Sequence, residues 1–295
     1  MRHTRISKVL KDNFRGYGSG TRSAYSKQVG PFSEFVRETY GTERIAPEQY
    51  REAVQSYLDN CAERGLKTTS VHNYAAALAA GTNTKMADYE YAKREPPTHN
   101  DAVRITSGSE NITAIADAIG LRHIEYGRLR GGDLVERGGM TFVSLDKGKG
   151  GKPQEQLILP DRVSEVKEIF EGVKHGERVF SSDEVKAAHN SNLHAARRAA
   201  ARDAYEYFKG LSSEERQPYR EEMERRFYER GKTYAWEKYQ ERLHTTPEIT
   251  VRGVNRDRCD DRGIGYSFDR EATMMTSVFN LAHYREDVTV HHYLL

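Results

Sequence analysis

The sequence has few of the residues that define disulfide-rich, zinc-stabilised or membrane-spanning proteins. Cys61 and Cys259 are its only cysteines among 295 residues. Two distant cysteines without a metal-ligand pattern predict a reducing compartment and no structural zinc. No window approaches the ~18 consecutive apolar residues of a membrane-spanning helix, and the N-terminus has no signal-type apolar core. We therefore expect a cytoplasmic protein with neither export signal nor membrane span.

A strong overall charge is also missing, since the formal net charge is only +2. The first 30 residues differ, because seven basic residues stand there against Asp12 as the one acid. These are Arg2, Arg5, Lys8, Lys11, Arg15, Arg22 and Lys27. A basic N-terminal arm, residues 1–19, that precedes a folded domain suits a polyanion such as DNA. A solvated disordered tail is the alternative interpretation.

Residues 20–92 have the pattern of a small helical bundle. Apolar and aromatic residues recur there at helical spacing: Tyr25, Val29, Phe32, Phe35, Val36 and Tyr40, then Tyr50, Val54, Tyr57 and Leu58, then Val71, Tyr74, Ala77 and Leu78. Thr68, Thr69 or Ser70 can cap the last helix. The polar stretch 93–108, with Pro96 and Pro97, is expected to be a linker between two domains.

The stretch Gly120 to Leu134 carries the first candidate site residue. An apolar run leads into Gly120, and Arg122 follows at the start of a new helical segment. We expect Leu121, Ile124 and Leu129 to face inward. Arg122 would then lie at a helix start, where backbone N–H groups also favour a phosphate. A surface arginine on an ordinary amphipathic helix is the alternative.

A glycine-rich hairpin is predicted next. Met140–Leu145 has strand character, Lys147–Pro153 forms a tight turn, and Gln156–Pro160 returns as a second strand. The tip carries Lys147, Lys149 and Lys152, which would make it a mobile ammonium donor. A plain surface hairpin is the alternative.

The pair His194 and Arg197 opens an alanine-rich helix. Their i, i+3 spacing would put imidazole and guanidinium on one helix face, where both can contact one phosphate. Arg198 can replace Arg197 if the register differs by one residue. The charged, aromatic-rich segment of about 205–265 is interpreted as an inserted helical subdomain, packed on the core or docked on a neighbouring subunit. Within it, Arg252, Arg256, Arg258 and Arg262 lie in a stretch that is either a loop touching DNA or an ordinary surface loop.

The order of these motifs resembles the tyrosine recombinases, or phage integrases. The matching elements are Gly120-Leu-Arg122-x-x-Glu125-x-x-x-Leu129-x-x-x-Asp133, the Gly-Lys149-Gly hairpin, His194-x-x-Arg197, and Leu281-Ala282-His283 with Tyr293 one short helix later. Three features depart from the family. Ala282 replaces a glycine, the spacing from His283 to Tyr293 is one residue longer, and the 205–265 segment is inserted.

The resemblance implies a mainly α fold with a small β-hairpin or sheet: a helical core-binding domain, 20–92, that clamps DNA, and an α+β catalytic domain, 109–295. It also implies a site-specific DNA recombinase that acts through a 3′-phosphotyrosyl intermediate without ATP, metal or small-molecule cofactor. The absence of a Walker loop and of a metal-ligand cluster agrees with this.

The family assigns each motif a role. Tyr293 would be the nucleophile, Arg122 and Arg197 would clamp the phosphate, and Lys149 would be the general acid. Lys147 and Lys152 are alternatives to Lys149. His194 would assist proton transfer, and His283 would donate a hydrogen bond to the phosphate.

The expected partner is a specific double-stranded DNA site bound by a homotetramer, in a protein from a prokaryote, virus or other mobile element. Two competing hypotheses share the fold: a type IB topoisomerase or telomere resolvase, and a degenerate member that only binds DNA. A charged interaction protein unrelated to nucleic acid is the remaining alternative.

Overall fold

The computed structural model describes residues 3–92, 108, 110–148 and 151–295. Contacts divide the chain into two compact units, Met1–Pro96 and Pro97–Leu295. Arg2, Lys149 and nearly all of the expected linker lie outside the described residues. Both units are mainly helical, and small antiparallel sheets occur in the second, which confirms the predicted fold class. None of the described helices combines the length and apolar character needed to cross a bilayer.

The first unit is a bundle of five α-helices within its described part. They are α1 (Ile6–Asn13), α2 (Ser19–Ser26), α3 (Val29–Tyr40), α4 (Tyr50–Glu63) and α5 (Thr68–Thr82). Phe32, Val36, Val54, Leu58 and Leu78 are fully buried in its core. The helical spacing of apolar residues therefore located these inward faces correctly.

The N-terminal segment differs from the expected basic arm, because it forms the first helix of the bundle. Ile6, Leu10 and Phe14 recur every four residues and are buried against the other helices. The basic side chains remain on the outside: Arg5, Lys8, Lys11, Arg15, Arg22 and Lys27 are all exposed. Burial of one apolar stripe thus leaves an exposed basic surface on a folded element.

The start of α5 also differs from the sequence prediction. Lys67 occupies the N-cap position, and no side chain caps the helix. Thr68 is already helical, so neither Thr68 nor the two residues after it serve as the predicted cap.

The second unit contains the remaining elements. In chain order they are α6 (Glu110–Ile119), α7 (His123–Tyr126), β1 (Leu134–Arg137), β2 (Met140–Leu145), β3 (Gln154–Leu157), α8 (Val163–Phe170), α9 (Ser182–Ala187), α10 (Leu193–Gly210), α11 (Ser213–Glu229), α12 (Thr233–Thr245), β4 (Glu248–Thr250), α13 (Val254–Arg262), β5 (Ser267–Asp269), α14 (Arg270–Met275) and α15 (Glu286–Thr289). Two π-helical turns, Thr276–Asn280 and Val290–Leu294, follow α14 and α15.

The predicted hairpin is part of a three-stranded antiparallel sheet with the order β1-β2-β3. Val143 of β2 lies opposite Leu134 on one side and Gln156 on the other. The returning strand spans Gln154–Leu157, not the predicted 156–160. Pro160 lacks an N–H for the ladder and instead begins a 3₁₀ turn, Pro160–Arg162. β1 was not predicted from the sequence.

The segment interpreted as an insertion packs on the core of its own chain. Met223, Phe227 and Tyr239 share one buried cluster with Phe142 of β2 and Phe279. Of the two alternatives for this segment, the structure therefore shows core packing.

The arginine-rich stretch near residue 255 is a helix, α13, and not the expected loop. Gly253 and Gly263, at φ +57° and +63°, bracket it. Cys259 anchors the helix in the core, where it is fully buried.

Candidate active site

Arg122 lies directly before α7 and is fixed by a buried carboxylate. Glu125 is fully buried, and its carboxylate accepts hydrogen bonds from the backbone N–H of Arg122 at 2.8 Å and from Nη1 at 2.9 Å. Its side chain thus covers an N–H group that the helix start leaves unpaired. Because one carboxylate binds both groups, it fixes the orientation of the Arg122 guanidinium relative to the backbone.

The inward face of α7 differs from the prediction at one position. Leu121 and Leu129 are fully buried as expected, but Ile124 is 57% exposed. The helix has a single turn, and Glu125 and Tyr126 occupy its inward side instead. The apolar character of Ile124 was therefore a misleading signal, because Glu125, whose carboxylate holds Arg122, takes the buried position.

The guanidinium of Arg122 joins two other parts of the unit. Nη2 lies 3.1 Å from Nε2 of His283, and Nη1 donates to Oε1 of Gln154 on β3 at 3.4 Å. A buried hydrogen bond from Nε2 of Gln156 to the carbonyl of Asn280, at 2.5 Å, ties β3 to the turn before His283. Motifs that are 161 residues apart in the chain thus meet at one guanidinium.

Arg197 on α10 is fully buried and is held by neutral acceptors. Its Nη1 donates to the carbonyl of Gly120, its Nη2 to the carbonyl of Leu281 at 2.9 Å, and its Nε to the hydroxyl of Tyr293 at 3.4 Å. Burial lowers the pKa of Arg197 below its usual range, although the nearby Tyr293 acts in the opposite direction. The result is a desolvated positive charge beside a phenol.

Gly120 permits this close packing. Its φ is +53°, and a Cβ at this position would lie only 3.0 Å from Cα of Arg197. A side chain would force α10 away, so glycine is required both by conformation and by space.

Tyr293 lies in the π-helical turn after α15 and is 7% exposed. Its ring centroid lies 5.3 Å from that of His283 and 5.5 Å from Cζ of Arg197. Tyr284 packs on Phe227 of α11, with the two ring centroids 5.1 Å apart.

Two arginines of α13 hold the segment that carries Tyr293. Arg258 donates to the carbonyls of His291 and Leu295, both at 3.0 Å, and Arg262 donates to that of Leu294 at 3.4 Å. Arg256 stacks on Tyr266, with Cζ 4.7 Å from the ring centroid. From the sequence, these arginines were assigned to a loop touching DNA or to an ordinary surface loop, and their positioning role was missed because no local pattern signals it.

His283 is held in an unusual backbone conformation. Its neighbours Ala282 and Tyr284 have φ values of +53° and +60°, which non-glycine residues rarely adopt. The backbone N–H of His283 donates to the carbonyl of Ser277 at 2.8 Å. The glycine that the family has at position 282 would suit this conformation, and Ala282 adopts it at a steric cost.

The remaining predicted site residues lie around this cluster or outside the described chain. His194 is exposed in the first turn of α10, and Arg197, three residues further along the same helix, is fully buried. Arg198 is buried as well, but Arg197 is the residue that contacts Tyr293. Lys147 is exposed, and Arg128 donates to its carbonyl at 2.6 Å.

A cleft of about 320 Å³ opens beside Arg122 and His283 and is also lined by Lys152 and Gln154. A second cleft of about 630 Å³ shares Lys152, Gln154 and His283 and extends to α11 and the turn that follows it. Within the described ranges, no three His, Cys, Asp or Glu side chains gather as a metal site would need.

Comparisons with known proteins add a weak structural likeness. No family model and no curated protein matches the chain. It is similar to the XerH site-specific recombinase bound to a palindromic difH substrate in a post-cleavage complex, with 12% identity, a TM-score of 0.41 and coverage of 71% of this chain and 89% of that one. It is also similar to the XerA recombinase, with 15% identity, a TM-score of 0.23 and coverage of 70% and 85%. Both TM-scores are below 0.5, and neither likeness carries a functional conclusion.

Proposed function

We propose that the chain is a tyrosine-type site-specific DNA recombinase that breaks and rejoins DNA. The observation that carries this proposal is the meeting of Arg122, Arg197, His283 and Tyr293. The Tyr293 hydroxyl accepts a hydrogen bond from Arg197, and Arg122 contacts His283 at the wall of a cleft. A phenol can act as a nucleophile, and two guanidinium groups and an imidazole can stabilise the charge that develops on an attacked phosphodiester.

In the proposed reaction, the Tyr293 oxygen attacks the scissile phosphorus as its phenolic proton passes to water. The new bond is a 3′-phosphotyrosyl ester, and the bond from phosphorus to the 5′-oxygen breaks. Arg122 and Arg197 stabilise the charge on the non-bridging oxygens, because guanidinium groups bind phosphate in a bidentate manner. His283 donates a hydrogen bond to the phosphate. The ester conserves the energy of the phosphodiester, so rejoining requires neither ATP nor metal.

The leaving 5′-oxygen needs a proton, which we assign to a hairpin lysine. Lys149 has this role by resemblance. Lys152 is the alternative that borders the cleft with Arg122 and His283, and Lys147 is the other alternative. His194 would assist proton transfer from the rim of the site, since its side chain is exposed.

The first unit would clamp the duplex, with Arg2, Arg5, Lys8, Lys11, Arg15, Arg22 and Lys27 on phosphates. Of these, the six within the described part are exposed, which supports the assignment. A homotetramer on a specific DNA site, a cytoplasmic location and an origin in a mobile element belong to the same proposal.

The direct test is an assay for an SDS-resistant protein–DNA adduct on fragments that flank the protein's own gene. We expect an adduct with the unmodified chain and none with Tyr293→Phe. Tyr205→Phe is the matched control, because it removes a phenolic hydroxyl from a tyrosine that is similarly buried but lines neither of the two clefts. Its adduct should persist.

Other outcomes would redirect the assignment. An adduct that survives Tyr293→Phe would show that another residue is the nucleophile. Tight binding without any adduct would support a DNA-binding protein of the same fold. Relaxation of a supercoiled plasmid without exchange between sites would favour the topoisomerase alternative.

A further inference from the structure

The turn between α11 and α12 brings two cations to the edge of the candidate active site. Arg230 and Lys232 flank Gly231 in this turn and line the larger cleft. Arg230 also lines the smaller cleft, together with Arg122 and His283. The segment that resembles an insertion therefore contributes directly to the surface around the proposed catalytic residues.

Apart from Lys152, the cations of the larger cleft fall into two groups. Arg137, Arg225 and Arg226 all form ion pairs with Glu222, at 2.7 to 2.8 Å. In contrast, neither Arg230 nor Lys232 makes an ion pair within the described ranges. One part of the cleft is therefore neutralised internally, and the other part keeps its positive charge.

The two uncompensated cations are held in place by neutral groups. Cζ of Arg230 lies 4.6 Å and Nζ of Lys232 lies 4.8 Å from the ring centroid of Tyr284. Arg230 donates to the carbonyl of Pro153 at 2.8 Å, and the Lys232 backbone N–H donates to the carbonyl of Phe227 at 2.9 Å. The ring attracts both cations through its negative face without neutralising them.

Charge repulsion in this cluster supports an anionic ligand. Burial lowers the pKa of Lys232, and the positive charges of Arg230 and Lys152 lower it further. An anion between these groups would remove the repulsion, so binding there is favoured electrostatically.

A nearby amide provides an independent indication. Gln154 is 6% exposed and lines both clefts, and its Nε2 is buried without a hydrogen-bond partner among the described residues. A buried donor without a partner is costly, and this one belongs to an amide whose oxygen accepts from Arg122 at the boundary of the two clefts.

We propose that Arg230 and Lys232 form a subsite for a second DNA backbone phosphate, next to the phosphodiester held by Arg122 and Arg197. The proposal rests on the proposed function, because it assigns this phosphate to the strand that is cleaved. The turn from α11 to α12 then fixes the path of the strand into the active site.

The test compares two double variants in a Tyr293→Phe background, which prevents adduct formation. Arg230→Gln with Lys232→Gln removes the subsite. Lys238→Gln with Arg242→Gln is the matched control, because it removes the same charge from exposed positions of α12. Binding to a random-sequence duplex of about 40 bp is followed by fluorescence anisotropy over a range of NaCl concentrations, since phosphate contacts are independent of sequence.

We expect the subsite variant to bind about tenfold more weakly at about 100 mM NaCl, with the slope of log K against log salt reduced by about 1. The control should change affinity by less than about twofold. Equal losses of affinity in both variants would show that overall charge, and not a subsite, causes the effect. The proposal would also be overturned if the subsite variant bound like the parent or if the parent did not bind the duplex.

A second probe covers the possibility that the variant is misfolded. Inorganic pyrophosphate should raise the melting temperature of the parent and of the control variant, and should raise that of the subsite variant less, because that variant keeps only the groups around Arg122. Without pyrophosphate, the melting temperature of the subsite variant should match that of the parent. An equal pyrophosphate effect in all three proteins would contradict the subsite.

The outcomes for the subsite and for the recombinase function remain separable. Specific loss of affinity in the subsite variant, together with no adduct from the chain with Tyr293 intact, would support the subsite and reject strand cleavage. An adduct from the chain with Tyr293 intact, together with parent-like binding by the subsite variant, would support strand cleavage and reject the subsite.

Discussion

Arg197 and Arg216 are two buried arginines in the same unit with opposite surroundings. Arg216, on α11, pairs with the carboxylates of Asp269 at 3.0 Å and Glu271 at 3.1 Å. Arg197 donates to two backbone carbonyls and to the phenol of Tyr293. One guanidinium is thus neutralised by acids, whereas the other has only neutral acceptors.

The effect on protonation is opposite as well. Burial lowers the pKa of both side chains, but hydrogen bonds from Arg216 to Asp269 and Glu271 reverse this effect and raise its pKa. The pKa of Arg197 stays lowered. Arg197 has no carboxylate among its hydrogen-bond acceptors in the described chain, and a buried charge held in this way is costly. Under the proposed function, the DNA phosphate supplies the missing anion.

The largest expected effect comes from Arg197→Met. It leaves the carbonyls of Gly120 and Leu281 without their donor and removes the charge beside Tyr293, so we expect a loss of about 3 kcal/mol in unfolding free energy. The yield of adduct per folded molecule should fall at least about 10³-fold. Urea unfolding and the adduct assay measure the two effects.

Arg216→Met is the matched control for that change. It leaves Asp269 without its arginine and Glu271 with Arg220 as its one remaining cation in the described chain, and it should cost about 2–3 kcal/mol. Its adduct yield per folded molecule should stay within about tenfold of the unmodified chain. Equal losses of adduct in the two variants would show that Arg197 acts only through stability.

A smaller effect is expected for Arg122→Lys, which separates charge from geometry. Lysine keeps the positive charge near Glu125, so the unfolding free energy should change by less than about 1 kcal/mol. It cannot reproduce the planar, forked donor set, so adduct yield should fall about 10²-fold. Adduct yield near that of the parent would mean that Arg122 supplies charge alone.

Sequence reasoning was informative where a residue's role depends on its type and order along the chain. The hairpin, the bundle helices and the convergence of Arg122, Arg197, His283 and Tyr293 agree with the order of motifs. Local patterns failed where a distant contact decides the outcome. Ile124 is exposed because the buried carboxylate of Glu125 takes the inward position.

The same limit explains the missed roles of α1 and α13. Ile6, Leu10 and Phe14 give a helical stripe, but the many basic residues around them suggested an arm instead. Arg258 and Arg262 hold carbonyls more than 30 residues further along the chain. No sequence window contains both partners, so this contact becomes visible only in the folded chain.

The smallest expected effect concerns Glu271, which holds Arg216 by charge and therefore depends on pH. Burial raises the pKa of Glu271, but hydrogen bonds from Arg220 and Arg216 lower it below the ordinary value of 4.5. A carboxyl with a lowered pKa in the folded state stabilises the fold above 4.5, and this contribution is lost as the pH falls through the folded-state pKa.

Glu271→Gln should therefore cost about 1–2 kcal/mol in unfolding free energy near pH 7, and the difference from the unmodified chain should shrink as the pH falls below 4.5. Urea unfolding at a series of pH values measures this difference. Glu215 lies at an exposed position of α11, the helix that carries Arg216 and Arg220. Glu215→Gln should therefore change the unfolding free energy less than Glu271→Gln at every pH. If the difference in unfolding free energy for Glu271→Gln stays constant down to about pH 2, hydrogen bonding and not charge holds Arg216. Arg216 and Arg197 would then no longer differ in being neutralised by acids.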